Sequence, residues 1–205
     1  MNIVMFMDAF RGVPVFSIRE IAKLFPDFDQ DNLVYWQKKG YLVRIRNGWY
    51  SLKGSIQDLP DAYFVANKIY SPSYIALESA LSFYGWIPEG VFTTTSISTQ
   101  KTNVFDTPVG RFRYANIKPS LFFGYKLLQV NGCGVKVADP EKALLDFIYF
   151  HPKIADPIEF EGFRFNLAQM QMDLDFDKLH QYETIFNSKV VSERLNKIIN
   201  FFEYA

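Results

Sequence analysis

The segment that most restricts the fold is residues 41–52, YLVRIRNGWYSL, which has the pattern of a β-hairpin. Arg44 and Arg46 alternate with apolar residues, so both arginines are expected on one face of a strand whose other face is buried. The dipeptide Asn47-Gly48 is typical of a tight type I′ turn, in which both central residues have positive φ. The chain then returns as a second strand through Trp49.

Three helices are predicted before this hairpin. Residues 2–11 form the first. Ser17 has the position of an N-cap, with Glu20 completing a capping box, and Pro26 ends the second helix. Asp29 is the expected cap of the third, which places Leu33 and Trp36 on one apolar face and closes at Gly40. This order predicts a winged helix-turn-helix domain over residues 1–56.

A polar stretch at residues 53–60, KGSIQDLP, separates this domain from a second one over residues 57–205. The apolar pattern predicts helices over 60–70 and 73–84, the latter capped by Ser73. Strands are expected over 91–99, 109–117 and 125–130, with a hairpin at Asn131-Gly132. Asp139 and Pro140 open another helix, and residues 176–204 form one or two more. The predicted fold class is α+β, with a mixed α/β domain containing a small antiparallel sheet and C-terminal helices.

Charge and composition restrict the class of partner. The formal net charge is zero, but residues 1–56 carry eight Lys and Arg against five Asp and Glu, which favours a polyanion partner for that part alone. No apolar run approaches the roughly 18 residues of a membrane span. The single cysteine, Cys133, excludes an intramolecular disulfide. A cytoplasmic protein without membrane partners is expected.

The third helix and the hairpin carry the predicted interface with double-stranded DNA. A helix docked through Leu33 and Trp36 would present its other face to the major groove, with the hairpin beside it contacting phosphates. The residues expected to contact DNA are Gln30, Asn32, Tyr35, Lys38, Lys39, Arg44 and Arg46. An alternative stays open, since lysines at a helix C-terminus also complement the helix dipole. The arginines could likewise form a solvated strand face.

Enzyme chemistry has little support, and no catalytic residue, metal or cofactor is expected. The only histidines are His151 and His180, and with one cysteine they cannot form a zinc site of ordinary spacing. The acids Asp173, Asp175 and Asp177 are better explained as a helix cap and a solvated face than as a metal site. Glu78 lies in an apolar helical stretch, where it is either a paired buried carboxylate or a partner contact.

Several segments together resemble one family. The hairpin, YSPSYIALESALSFYGWIPE, the Thr-rich strand after it, TPVGRFRYANI and ADPEKALLDFIYF follow one another over roughly residues 15–150. In this order they resemble AbiEi-type antitoxins, the transcriptional regulators of abortive-infection, type IV toxin–antitoxin systems that defend against phage. The resemblance implies a winged helix that represses its own operon at promoter inverted repeats, as a possible homodimer on DNA.

The resemblance also implies a second domain that counteracts a nucleotidyltransferase-like toxin, without a firm complex between the two proteins. Exposed basic residues of that domain would form the antitoxicity surface, here Lys101, Arg111, Arg113 and Lys118. A different class of function remains as the alternative. In it, the winged helix docks another protein and does not bind DNA.

Overall fold

Three short helices and a three-stranded antiparallel sheet make up the first part of the chain. The computed structural model describes residues 1–88, 90 and 92–204. The helices are α1 (Ile3–Ala9), α2 (Ile18–Leu24) and α3 (Asp31–Lys38), and the strands are β1 (Phe16–Ser17), β2 (Leu42–Arg46) and β3 (Trp49–Leu52). The sheet order is β1-β3-β2, so the predicted hairpin is extended by one short strand.

The predicted start of α2 is confirmed, and that of α3 is displaced. The Ser17 hydroxyl accepts from the Glu20 amide at 3.2 Å, and the Glu20 carboxylate accepts from the Ser17 amide at 2.7 Å. Gln30, and not Asp29, holds the N-cap position of α3, and its side chain makes no capping bond. Asp29 still accepts from the Asp31 amide at 2.9 Å, so it stabilises the turn before the helix.

The turn between β2 and β3 differs from the predicted type I′ turn. Gly48 has φ of +77°, whereas Asn47 is not among the described residues with positive φ. The pairing register also shifts between Arg44 and Arg46, which marks a β-bulge. The expected strict alternation of β2 is therefore wrong at its end, because the extra residue turns Arg46 away from the face that Arg44 occupies.

A six-stranded mixed sheet forms the centre of the second part. Its order is β6-β7-β5-β4-β9-β8, with β5–β7 and β4–β9 parallel and the other pairs antiparallel. The strands are β4 (Ser73–Ile75), β5 (Thr93–Ser98), β6 (Asn103–Thr107), β7 (Gly110–Asn116), β8 (Tyr125–Val130) and β9 (Cys133–Ala138). The strands predicted over 91–99, 109–117 and 125–130 correspond to β5, β7 and β8, with residue 91 outside the described residues. The strands β4 and β6 are additional ones.

The predicted helix over 73–84 is wrong in its first half. Ser73–Ile75 is the strand β4, buried between β5 and β9, and Ser73 is not a helix cap. The helix α5 begins only at Glu78 and ends at Phe83. The central position in the sheet explains the difference, since a strand buried on both faces is as continuously apolar as a buried helix.

The remaining helices surround the large sheet. They are α4 (Leu59–Ile69), α6 (Pro140–Phe150), α7 (Pro157–Gly162), α8 (Leu167–Asp173), α9 (Phe176–Phe186) and α10 (Lys189–Tyr204). Asp139 caps α6 by accepting from the Lys142 amide, with Pro140 at the first helical position, as predicted. The architecture is α+β with a small antiparallel sheet and C-terminal helices. Among the described residues, no helix combines the length and apolar character that crossing a membrane requires.

Buried apolar side chains form three clusters. One lies among α1–α3 and the small sheet, and another lies between the large sheet and the C-terminal helices. A third cluster joins the two parts, because Val15 and Ile45 pack with Phe64, Ile69 and Tyr114. The small sheet is therefore held against α4 and the large sheet by a shared apolar contact. The boundary at residues 56 and 57 stays a prediction.

Candidate nucleic-acid interface

The helix α3 is fixed by two large apolar side chains. Leu33 and Trp36 are each 3% exposed. The Trp36 ring lies 4.8 Å from that of Phe6 on α1 and 5.7 Å from that of Phe28, measured between centroids. Burying an aromatic side chain of this size contributes several kcal/mol. The opposite face of α3 is consequently held at the protein surface in one orientation.

The exposed face of α3 contains most of the residues that the sequence predicts. Tyr35 is 55% exposed, and Gln30, Lys38 and Lys39 are exposed as well. The Lys39 ammonium lies 5.6 Å from the centroid of the Tyr35 ring, a cation–π contact that orients both side chains. Val34 is 52% exposed on the same helix and was not predicted. Because valine is apolar, the sequence did not indicate that this residue lies at the surface.

Asn32 differs from the expectation. Its side chain is half-buried, and its amide nitrogen donates to the carbonyl of Asp29 at 3.0 Å. A predicted donor to a base edge is thus engaged within the turn that begins α3. Asn32 lies in the first turn of α3, where its short side chain can reach back to a neighbouring carbonyl.

The two arginines of the hairpin lie in different environments. Arg44 is exposed, and its guanidinium donates to the Asn47 side chain at 3.1 Å, which holds it beside the turn. Arg46 is half-buried and donates to the Ile69 carbonyl at 2.6 Å. Its guanidinium also lies 4.2 Å from the centroid of the Phe105 ring. The structure therefore places Arg44 at the surface and Arg46 in the contact between the hairpin and the second part of the chain.

The helix before α3 adds positive charge that sequence reasoning missed. Arg19 and Lys23 are both exposed on α2 and are four residues apart, which places them on one face of that helix. The four-residue spacing of these two basic residues is the sequence signal that could have identified them. With Lys38, Lys39 and Arg44 they make five exposed cations in α2, α3 and the hairpin, while Asp27, Asp29 and Asp31 are exposed acids before and at the start of α3.

The four basic residues expected in the second part do not form one surface. Arg111 and Arg113 lie together on β7, near its amino end, and point to the same face of the sheet. Lys101 and Lys118 are exposed and follow the carboxyl ends of β5 and β7. The length of the strands therefore separates the arginines from the lysines.

The acidic tail segment has structural partners. Asp173 accepts from the indole nitrogen of Trp86 at 2.7 Å, and Asp175 caps α9 by accepting from the Lys178 amide at 3.1 Å. Asp177 lies in the first turn of α9, where a carboxylate complements the helix dipole. In the part of the chain that the structure describes, no cluster of histidine, cysteine and acidic side chains is arranged to hold a metal ion.

Glu78 is a paired carboxylate, one of the two roles expected for it. Its Oε1 lies 3.1 Å from Nε2 of His151, whose Nδ1 lies 3.0 Å from the carbonyl of Phe147. With both ring nitrogens facing oxygen acceptors, the imidazolium form of His151 donates to each. Burial of Glu78 opposes its charge, but the hydrogen bonds from His151 and from the backbone amide of Glu78 itself, with the charges of His151 and Arg113, lower the pKa of the carboxyl.

Neither the protein-family models nor the curated proteins compared with this chain give a match. The features of this chain that bear on its function are therefore the exposed face of α3, the hairpin beside it and the order of the sequence segments.

Proposed function

We propose that this protein is a DNA-binding transcriptional regulator in which residues 1–56 form a winged helix-turn-helix. In this proposal α2 and α3 are the helix-turn-helix pair, α3 enters the major groove, and the β2–β3 hairpin is the wing. The supporting observation is the exposed face of α3, which presents Tyr35, Lys38 and Lys39 while Leu33 and Trp36 anchor the other side.

The chemistry of this face suits a nucleic-acid duplex. A major groove admits one α-helix, and lysines there contact guanine or the flanking phosphates. Arg44 on the wing is exposed and would contact a phosphate beside the groove, and Arg19 and Lys23 on α2 would add positive charge. Arg46 has no part in this interface, because its guanidinium is bonded to Ile69 and stacked on Phe105.

The sequence resemblance supports a more specific role. As an AbiEi-type protein, the regulator would repress its own operon at inverted repeats, and residues 57–205 would counteract a nucleotidyltransferase-like toxin. Two copies on an inverted repeat bind more tightly than one, because the second binding event is effectively intramolecular.

The test is salt-dependent binding to a duplex that carries the region upstream of the gene. Fluorescence anisotropy at several salt concentrations gives the slope of log K against log salt, which is about 0.9 per neutralised phosphate. The triple variant K38A/K39A/R44A should reduce this slope by up to about 2.7 if each charge meets a phosphate. The matched control is K126A/K189A/K197A, which removes three exposed lysines elsewhere. An equal reduction of the slope in both variants, or a DNA affinity of the parent protein that does not depend on salt, would refute the proposal.

A protein-docking module is the second candidate function. Val34 and Tyr35 are 52% and 55% exposed in the middle of α3, and exposed apolar residues there suit a protein groove as well as thymine methyl groups. Substitution V34A/Y35A with full retention of DNA affinity, together with capture of a protein partner that requires both residues, would favour this alternative.

A further inference from the structure

An open cavity of about 800 Å³ lies on the second part of the chain, away from α3. Its size is within the range of small-molecule sites, roughly 300–1,000 Å³. One side is the face of the large sheet formed by β5, β6 and β7, and the other contains the start of α5 and the end of α7. The side chains that matter for recognition are Glu78, Ile87, Thr93, Thr95, Val104, Arg111, Arg113 and Phe163.

The strand register assembles the polar side of this cavity. Thr93 and Thr95 pair with Arg111 and Arg113 in the parallel β5–β7 ladder, so these four side chains share one face of the sheet. On β6, Val104 is opposite Arg113. Further along β5 and β7 the same face is covered by core residues, such as Ile97 and Ala115. The cavity is therefore the part of this sheet face that the C-terminal helices leave uncovered.

Two guanidinium groups at its edge form an anion-binding pair. Arg111 is bound loosely to Asp106, with 3.3 Å between Nε and Oδ1 and both side chains largely exposed. Arg113 is exposed and has no hydrogen bond or ion pair to another described residue. Their α-carbons are about 7 Å apart, twice the rise per residue of a strand. Two planar guanidinium groups at this spacing can both donate to one phosphate.

The inner end of the cavity contains the acid Glu78, which directly follows a strained residue. Leu77, directly before Glu78, has φ of +54° and ψ of −140°, a backbone conformation that is strained for a non-glycine residue. Such strain is concentrated at functional sites. The Glu78 carboxylate binds His151 through Oε1, while its Oε2 is shielded from solvent and has no hydrogen-bond partner among the described side chains and backbone. The carboxylate thus retains capacity to accept a hydrogen bond.

The remaining walls are apolar. Ile87 is nearly buried, and Val104 and the ring of Phe163 are partly exposed. An apolar wall with an aromatic ring accommodates a flat ring, as stacking on aromatic side chains does for nucleobases. The cavity therefore combines a site for a phosphate, walls for a flat ring and a carboxylate that accepts an N–H donor.

We propose that this cavity binds a nucleoside monophosphate, with the phosphate on Arg111 and Arg113 and the base between Phe163 and Ile87, its N–H edge directed toward Glu78. This is a ligand site separate from the DNA interface, and it does not depend on the function proposed for residues 1–56. The base supplies N–H donors for the carboxylate of Glu78 at one end of the cavity. The phosphate supplies negative charge for the two arginines at the other end.

The test is calorimetric titration of the full chain with each of the four common ribonucleoside monophosphates, with inorganic phosphate and the free nucleosides as comparisons. At least one nucleotide should bind more tightly than phosphate or its own nucleoside. The variant R111A/R113A should weaken nucleotide binding about tenfold or more, because both charge-assisted contacts are lost. E78Q should weaken binding of the nucleotide without weakening binding of phosphate, because it removes the acceptor for the base and also a negative charge near Arg113.

The matched control is K101A/K118A, which removes two exposed cations at the opposite ends of the same strands and should bind the nucleotide normally. The thermal midpoint of each variant without ligand verifies that it is folded. Equal affinity for phosphate and for every nucleotide would show that the cavity binds only the anionic group, and it would overturn the proposal. Absence of binding to all four nucleotides at millimolar concentration would also overturn it. So would a loss of nucleotide affinity in K101A/K118A equal to that in R111A/R113A.

Discussion

The ammonium group of Lys142 contacts Oδ1 of Asp146 one turn later on α6, and neither side chain is exposed to solvent. The Tyr74 hydroxyl on β4 closes the arrangement, since it accepts from Lys142 at 2.9 Å and donates to Asp146 at 2.8 Å. Burial opposes both charges, so it lowers the pKa of Lys142 and raises the pKa of Asp146. Tyr74 thus links the central strand β4 to the two charged side chains of α6, and each of those charges depends on the other.

We expect K142M and D146L each to lower the free energy of unfolding strongly. The double variant K142M/D146L should be destabilised by much less than the sum of the two single effects. Removing one partner leaves an uncompensated buried charge, which costs about 3–5 kcal/mol. The double variant replaces the pair by apolar side chains and should recover much of that loss. Urea unfolding of the four proteins gives the coupling free energy, and additive effects would show that the pair is not coupled.

Gly124 is predicted to be intolerant of a side chain. Its φ is +68°, and a Cβ there would lie 2.9 Å from Cε2 of Tyr182 and 3.0 Å from Cβ of Lys142. Tyr182 cannot easily move, because its hydroxyl donates to Asp139 at 2.9 Å. G124A should therefore lower the free energy of unfolding by about 1–3 kcal/mol more than backbone strain alone.

The control for this prediction is G54A. Gly54 has φ of +80° and nothing within 4 Å of the added Cβ, so this substitution measures the backbone cost in open space. The free energy of unfolding of both variants, measured in urea, separates the two contributions. Equal destabilisation would mean that Tyr182 and Lys142 move aside without cost.

Local signals in the sequence were sufficient for much of the fold. The capping box of Ser17 and Glu20 and the Asp139-Pro140 helix start depend on neighbours within one turn, and both are confirmed. The hairpin at Asn131-Gly132 is also confirmed, with φ of +51° and +76° at the two residues. These predictions succeed because the interacting groups are adjacent in the sequence.

Two of the errors occur where distant residues decide the outcome. Ser73–Ile75 has a helical apolar pattern but becomes a strand because β5 and β9 lie on either side of it. Arg46 has the pattern of an exposed strand residue but is bound by Ile69 and Phe105, which the hairpin sequence alone does not reveal. For the candidate interface, the exposed face of α3 was therefore predictable and the environment of Arg46 was not.

Arg44 and Arg46 should have separable effects. R44A is expected to lower DNA affinity for every sequence and to reduce the salt slope by about 0.9, because one phosphate contact is lost. R46A should leave the slope unchanged and lower the free energy of unfolding by about 1–3 kcal/mol, since the buried Ile69 carbonyl loses a charged donor. Anisotropy titrations and urea unfolding of the same two preparations test both statements.

The variant R46K distinguishes charge from geometry at this position. A lysine keeps the charge but lacks the planar group that stacks on Phe105, so R46K should be intermediate in stability. A reduced salt slope in R46A, with unfolding unchanged, would instead place Arg46 in the DNA interface and contradict the contact described for it.

The last prediction concerns the pH dependence of stability at Glu78. The pKa of this carboxyl is below its ordinary value, because the contacts with His151, the hydrogen bond from its own backbone amide and the charge of Arg113 together outweigh the effect of burial. An acid with a lowered pKa stabilises the folded state above its unfolded pKa of about 4.3, and this stabilisation is lost as the pH falls through the folded-state pKa. The free energy of unfolding of the parent protein should therefore fall more steeply than that of E78Q as the pH falls below the unfolded-state pKa.

The control uses the H151A background, in which the carboxyl has lost its nearest partner. There, the pH profiles of H151A and of E78Q/H151A should differ much less. Parallel pH profiles of the parent protein and E78Q, measured by urea unfolding from pH 7 down to about 3, would show that the Glu78–His151 contact does not stabilise the ionised form.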